Sequence, residues 1–364
     1  MRILYIINGE FYSGAERVQD ILAMMLPELG FEVHFACLKP DRFPELCQCS
    51  RNRIALFRMR SRFDLSPAVK IARHIRKNSF QLIHTHTPRT AMVGRLASFL
   101  SSVPMVHHVH SPTVSDSTDT FQNLCNSIIE RCSMIGIKRI ISVSEGLKAH
   151  LIEQGIDEKC ITVVHNGVPT PGLLLDRAKP EGQWIIGVVG LFRPRKGLET
   201  LLKALVKLKK RHTVRLRVVG TFQNQEYKAM IMKMADDLGI SQSIDWLGFC
   251  FNVQAQLCKM DILVLPSLFG EGIPMVILEA MAAGVPVVST KIRGITEVIC
   301  NGKEGLLVSP GDSRKLNEAI SRIISDDIEW SLLRRNAYER QTMFFSDHRM
   351  SKKTARIYRE VLGL

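Results

Sequence analysis

The chain of 364 residues is 46% hydrophobic and 23% charged, and its formal net charge is +14 at pH 7. That length exceeds one ordinary core and predicts two domains. No run of about 18 apolar residues exists, which excludes a transmembrane helix. The basic balance favours an anionic partner: nucleic acid, anionic lipid or a phosphorylated substrate.

The opening Met1-Arg2-Ile3-Leu4-Tyr5-Ile6-Ile7 is too short for a signal peptide and lacks a small-residue cleavage site, so a cytoplasmic protein is expected. Ile3 to Ile7 reads as a strand. Ser13-Gly14-Ala15-Glu16 then leads into a helix over about Glu16 to Leu29, and strand, glycine turn and helix together suit an anion. Val33 to Leu38 is the next strand. The nine cysteines are scattered, without a C-x-x-C; Cys47 and Cys49 are the only close pair, and reduced structural thiols are expected. The run Arg51 to Arg62 holds no acid. A helix over Pro67 to Lys77 presents Lys70, Arg73, Arg76 and Lys77, a face suited to solvent or to an acidic membrane surface. Strand Leu82-Ile83-His84, helix Ala91 to Phe99 and strands Met105 to Val109, Ile140 to Val143 and Ile161 to Val164 complete a first domain over 1–170. Pro169, Pro171, Gly172, Pro180 and Gly182 break the rhythm, and 171–182 reads as a linker.

The second domain, over 183–344, restarts the alternation. Its elements are strand Trp184 to Val189, helix Leu198 to Lys210, strand Arg215 to Val219, helix Glu226 to Leu238 and strand Ile262 to Leu265. Lys203 to Arg217 is a second basic run without acids. The chain closes with a basic amphipathic helix over Arg349 to Leu362. Such alternation predicts an α/β protein of two doubly wound, mostly parallel sheets, with ligand at the carboxyl ends of the strands in a cleft between the halves.

The most informative stretch is Phe269 to Thr290, FGEGIPMVILEAMAAGVPVVST. Gly270-Glu271-Gly272 is a turn whose glycines permit close approach. Pro274 fits the first position of a helix running to about Ala283, and Val285 to Ser289 is the following strand. The free N–H groups at the helix start suit an anion. Glu271 in the turn and Glu279 in the helix read as two separate acceptors for hydroxyls, or as a dipole partner and a solvated residue.

Other candidates follow strand ends. Gly190-Leu191-Phe192-Arg193-Pro194-Arg195-Lys196-Gly197 supplies cations able to clamp a diphosphate without metal. Gly220 ends a strand and permits backbone approach to the same group. His108 and His110 share one strand face, His107 the other, and His84 and His86 form another same-face pair. A histidine at a strand's carboxyl end can polarise a reacting hydroxyl. These five histidines could hold a metal, but no acidic cluster joins them in sequence, and there is no Asp-x-Asp; no metal site is expected. Zinc-finger, basic-zipper and RNA-binding signatures are absent, so no nucleic-acid partner is expected. G-x-S-x-G and P-loop motifs are also absent.

Taken in order, these motifs resemble glycosyltransferase family 4. They are SGAE at 13–16, IHTHTP at 83–88, VHHVHSP at 106–112, VSEG at 143–146, VVHNGV at 163–168 and RPRKG at 193–197. EGIPMVILEAMAAGVPVVST from Glu271, GITEVI at 294–299 and GLLVSPGD at 305–312 complete the series. A Glu, seven intervening residues and a second Glu form the most specific element. Leu191 stands where the family often has Arg, leaving Arg193 or Arg195 as the substitute, and Pro169 stands where Asp is common.

The resemblance implies a GT-B architecture, with the final helix, about 345–364, returning to the first domain. It implies a retaining, metal-independent transferase that needs no cofactor and moves a sugar from a nucleotide-sugar donor to a glycan or lipid-linked acceptor. Peripheral contact with an anionic membrane is part of that expectation. Glu271 would hold sugar hydroxyls and Glu279 the ribose. Backbone groups of Gly272, Ile273, Pro274, Met275 and Val276 would meet sugar and diphosphate. Arg193 and Lys196 would neutralise the leaving group, Gly14 would let the acceptor-side loop approach, and His110 would sit beside the transferred sugar. The alternatives are a nucleotide-sugar epimerase of the same fold and a non-catalytic sugar-nucleotide or membrane-surface binding module.

Overall fold

The apolar runs of the sequence become the strands of two parallel sheets in this computed structural model, which describes residues 1–48, 53–61, 64–112, 128–129, 131, 133–134 and 136–364. Arg51, Arg62 and Cys49, named above, lie outside the described residues. The chain divides into two units, one of residues 1–167 with 347–364 and one of 168–346.

In chain order, the first unit contains β1 (Arg2–Ile7), α1 (Gly14–Met25), β2 (Glu32–Cys37), α2 (Arg42–Leu46), β3 (Ile54–Leu56), α3 (Ser66–Lys77), β4 (Leu82–Thr85) and α4 (Pro88–Ser101). It continues with β5 (Met105–Val109), β6 (Arg139–Ser142), α5 (Glu145–Glu153) and β7 (Ile161–Val163). The strand order is β3-β2-β1-β4-β5-β6-β7, with every pairing parallel. Strands covered by helices on both faces need no polar side, and β1 is accordingly buried along Ile3 to Ile7. α3 turns Pro67, Ala68, Ile71, Ala72 and Ile75 inward and leaves Lys70, Arg73, Arg76 and Lys77 exposed.

The second unit holds β8 (Trp184–Val189), α6 (Leu198–Leu208), β9 (Val214–Val219), α7 (Gln225–Asp237), β10 (Ile244–Gly248), α8 (Val253–Leu257), β11 (Ile262–Leu265) and α9 (Met275–Ala282). Then come β12 (Val287–Thr290), α10 (Ile295–Val298), β13 (Gly305–Val308), α11 (Ser313–Ile324) and α12 (Trp330–Phe344). Its sheet, also parallel throughout, has the order β10-β9-β8-β11-β12-β13. α13 (Asp347–Leu362) belongs to the first unit, where Met350, Ile357, Tyr358 and Val361 are buried and the Arg359 guanidinium donates to the Leu29 carbonyl at 3.0 Å. Each such apolar side chain, fully buried, contributes roughly 1.5–3 kcal/mol.

The segment 171–182, expected as a linker, lies inside the second unit, and the division falls at Gly167/Val168 and Ser346/Asp347. Charge fastens it there. Arg334, 6% exposed, donates to the carbonyls of Gly284 (2.8 Å), Leu175 (2.8 Å) and Arg177 (3.0 Å). Arg177 in turn bonds buried Asp261 and the Met260 carbonyl. Proline and glycine frequency signals irregular backbone, not freedom from the domain beside it. Arg334→Ala removes one cation from three carbonyl acceptors, so we expect a loss of about 2–4 kcal/mol in urea unfolding and faster protease cleavage within 171–182. Unchanged cleavage would show that other contacts hold the segment.

Candidate active site

In an open parallel sheet, chain connections leave opposite faces where strand order reverses, and a crevice forms at the carboxyl ends there. In the second unit that point lies between β8 and β11. The loop after β8 carries Arg193, Arg195 and Lys196; the loop after β11 carries Ser267 and Glu271. They meet: Lys196 Nζ donates to Glu271 Oε1 at 2.5 Å, and Ser267 Oγ donates to the same oxygen at 2.7 Å. Arg195 Nη1 lies 3.7 Å from that carboxylate and donates to the Gly270 carbonyl at 2.8 Å. The Lys196 and Glu271 side chains are only 17% and 8% exposed. Burial works against the Glu271 charge, but Lys196 and Arg195 outweigh it and hold the carboxyl below its ordinary range.

Gly272, Ile273, Pro274 and Met275 are buried, so this stretch offers a ligand mainly backbone. Pro274 is the residue before the helix, extended at ψ 121°, and not its first position; α9 begins at Met275 with Val276 next. Either placement spends proline's missing N–H among donors that lack helical partners. Glu279 sits inside α9 at 4% exposure, which rules out a solvated surface role. Gly220 has φ +129°, and a Cβ there would lie 1.9 Å from the Gly190 carbonyl oxygen. Its glycine is therefore demanded by the approach of two loops to each other. Arg193 is half-buried in the loop before Lys196.

Gly14 and His110 belong to the first unit. Gly14 is the exposed first residue of α1, after Ser13, whose Oγ donates to Glu16 at 2.8 Å. His110 follows β5 directly, half-buried, with Nε2 3.1 Å from His86 Nδ1. Burial, then His107, pushes its pKa down to about 3, so it is neutral at pH 7.

Two family models match the chain in succession: "Glycosyltransferase Family 4" over residues 12–170 and "Glycosyl transferases group 1" over 176–340. The chain belongs to the family 4-type GT-B glycosyltransferases. Among its relatives is the capsular polysaccharide biosynthesis glycosyltransferase CapM of Staphylococcus aureus, 24% identical over 82% of each chain. Another is the UDP-Gal:alpha-D-GlcNAc-diphosphoundecaprenol alpha-1,3-galactosyltransferase of Escherichia coli, 22% identical over 90% of this chain and 89% of that one. The solved structure of Anabaena HepE in complex with UDP-glucose superposes with a TM-score of 0.87 at 22% identity, covering 99% of this chain and 100% of the other. That likeness shows the GT-B fold.

Two residues with no role in the motif reading also shape the Glu271 loop. Ser267 carries no motif signal, because one serine after a proline makes no pattern. Its carbonyl accepts from Thr290 Oγ1 at 2.6 Å, tying the Glu271 loop to the end of β12. Gly294 opens the GITEVI motif without a stated role. At φ +84°, its Cβ would sit 1.6 Å from the Gly272 carbonyl oxygen, so only glycine lets that turn seat against the Glu271 loop.

Removing one partner of a buried ion pair costs about 3–5 kcal/mol. We expect Glu271→Ala to be destabilised to that extent, and Glu271→Ala/Lys196→Met to recover part of the loss. Because the folded-state pKa of Glu271 is depressed, its contribution is present above pH 4.5 and lost as pH falls through the lower, folded value. Denaturant melts of wild type and Glu271→Gln across pH 3–7 test this. Parallel stability curves would contradict it.

Proposed function

We propose that this glycosyltransferase moves a sugar, with retention of anomeric configuration, from a nucleotide-sugar donor to a glycan or lipid-linked acceptor. The observation that carries the reading is the convergence of Lys196 and Glu271 at the strand-order reversal of the second unit. Cleaving the anomeric bond leaves negative charge on the diphosphate, and fixed cations stabilise charge that develops at a set position. Lys196 would exchange its bond to Glu271 for one to the diphosphate, freeing Glu271 to accept from sugar hydroxyls. Arg193, or Arg195 two residues on, is the second diphosphate cation. Glu279 is assigned to the ribose, and the backbone of Gly272 to Val276 to sugar and phosphate. Gly14 and His110 are assigned to the acceptor side, His110 as a neutral hydrogen-bonding partner of the sugar.

The step is a front-face substitution. The bond from the anomeric carbon to the diphosphate oxygen breaks, the acceptor oxygen bonds the same face of that carbon, and the acceptor proton passes to the leaving phosphate. The resident cations supply the charge stabilisation, so transfer should need no added divalent ion. The names of the relatives, capsular polysaccharide and diphosphoundecaprenol among them, support an acceptor in envelope polysaccharide or glycolipid synthesis. The UDP-glucose complex of HepE supports a uridine donor. Among the described residues no helix is long and apolar enough to cross a membrane. The exposed basic face of α3 supports contact with an anionic membrane where such acceptors reside.

A thermal-shift panel of nucleotide-sugars identifies the donor, since binding to the native state raises stability. Product anomeric configuration by NMR then tests retention. Lys196→Ala is expected to lower kcat/KM by about 100-fold or more, the size of losing one charge-stabilising group, in a protein that remains folded. Unchanged turnover would remove Lys196 from the site, and interconversion of donor sugars without acceptor would indicate an epimerase.

A further inference from the structure

The first unit contains a second constellation, of which the proposed sugar transfer uses His110 alone. β4 and β5 run side by side in parallel, with His84 opposite Val106 and Thr85 opposite His107. Strand alternation therefore brings His84, His86, His108 and His110 onto one face, at the carboxyl ends of two adjacent strands. His107 points the other way, its Nδ1 2.8 Å from Thr85 Oγ1. The four same-face rings pack with centroids 4.3–5.5 Å apart.

Three of these rings are enclosed: His84 and His108 are 0% exposed and His86 is 3%. One ring nitrogen from each forms a group in which all three atoms lie within 4.8 Å of one another. Among the described residues, no hydrogen-bond partner meets Nε2 of His84, Nε2 of His86 or either nitrogen of His108. A buried polar atom left unsatisfied costs about 1–3 kcal/mol. A purely packed stack of imidazoles would bear that cost at four atoms on one spot.

The Nδ1 atoms of His84 and His86 are already engaged. His84 Nδ1 meets the Tyr358 hydroxyl, which lies 2.7 Å from the Tyr5 hydroxyl. His86 Nδ1 lies 3.1 Å from His110 Nε2. With a proton assigned to each Nδ1, His84 donates to Tyr358 and His86 donates to His110. Both Nε2 atoms then keep lone pairs that no described hydrogen-bond donor meets. A ring held by a hydrogen bond on one nitrogen and open on the other is the arrangement of metal-ligating histidines.

We propose that His84, His86 and His108 form a binding site for a zinc-type transition-metal cation. Three neutral imidazoles, with no thiolate or carboxylate in the group, select a borderline ion such as Zn²⁺ over Mg²⁺ or Ca²⁺. Tetrahedral ligands at about 2.0–2.1 Å from zinc stand about 3.3 Å apart, so the rings must draw together by rotation on binding. The fourth position is left to water or a small anion, which also offsets the buried charge. The site lies wholly in the first unit and is independent of the assignment of Lys196 and Glu271.

The full-length chain, stripped with a chelator and titrated with Co²⁺ and Zn²⁺, tests this without any activity readout. We expect one equivalent of Co²⁺ with the visible bands of nitrogen coordination and no thiolate charge-transfer band, which separates this site from the cysteines. His84→Phe and His108→Phe should each weaken Zn²⁺ binding at least tenfold. If a variant does not fold by circular dichroism, long-range ¹H–¹⁵N spectra of wild-type histidines decide. Zn²⁺ should then shift Nε2 of His84 and His86. No binding to folded wild type, a thiolate band, unchanged affinity in folded variants, or shifts confined to other histidines would each overturn the site.

Discussion

A charge pair buried between two loops is the constraint on which the second unit's chemistry depends. Lys196 and Glu271 come from the ends of β8 and β11, neighbouring strands whose following loops must part where the sheet reverses order. Neither charge could remain there alone, since desolvation would neutralise or expel it. Together they fix both loops, with Ser267 and Arg195 tightening the carboxylate's position. The pair is also a store of polarity. In the proposed reaction a diphosphate takes over the ammonium and sugar hydroxyls the carboxylate, and the charges for the leaving group are then in place before the ligand arrives.

The two units solve the same folding problem with different polar content at the strand ends. Each buries continuous apolar strands between helices, and each reserves its carboxyl edge for polar groups. In the second unit these groups are charged and mutually neutralising. In the first they are uncharged histidines in contact with Tyr5 and Tyr358, the latter supplied by α13 from the far end of the chain. Burial holds His84, His86 and His108 neutral, which is what lets four imidazoles pack together.

Much of this was legible in the sequence, for physical reasons. Strands such as Ile3 to Ile7 and Ile262 to Leu265 are buried on both faces and read as unbroken apolar runs. The sequence reading names no strand for β3, β10 or β13. Ile54–Leu56 is a short edge strand, with Leu56 53% exposed, and Asp245 interrupts β10 to pair with Arg215. The Glu271 turn stood out because glycines and proline punctuate it. Its union with Lys196, 75 positions away, could not be read from spacing. The histidines were visible as same-face pairs on separate strands. Their pooling depends on β4 lying beside β5, a pairing that spacing along the chain does not show. The segment 171–182 misled in the opposite sense, because Arg334 binds its carbonyls from a helix more than a hundred residues downstream.

Hydrogen–deuterium exchange of the whole chain, with and without saturating UDP, tests the central claim most directly. The account predicts that protection concentrates in peptides spanning 190–197 and 266–279, the loops that carry Lys196 and Glu271 and the start of α9. Protection absent from both peptides while UDP is bound, and found instead only on other strand ends, would contradict it.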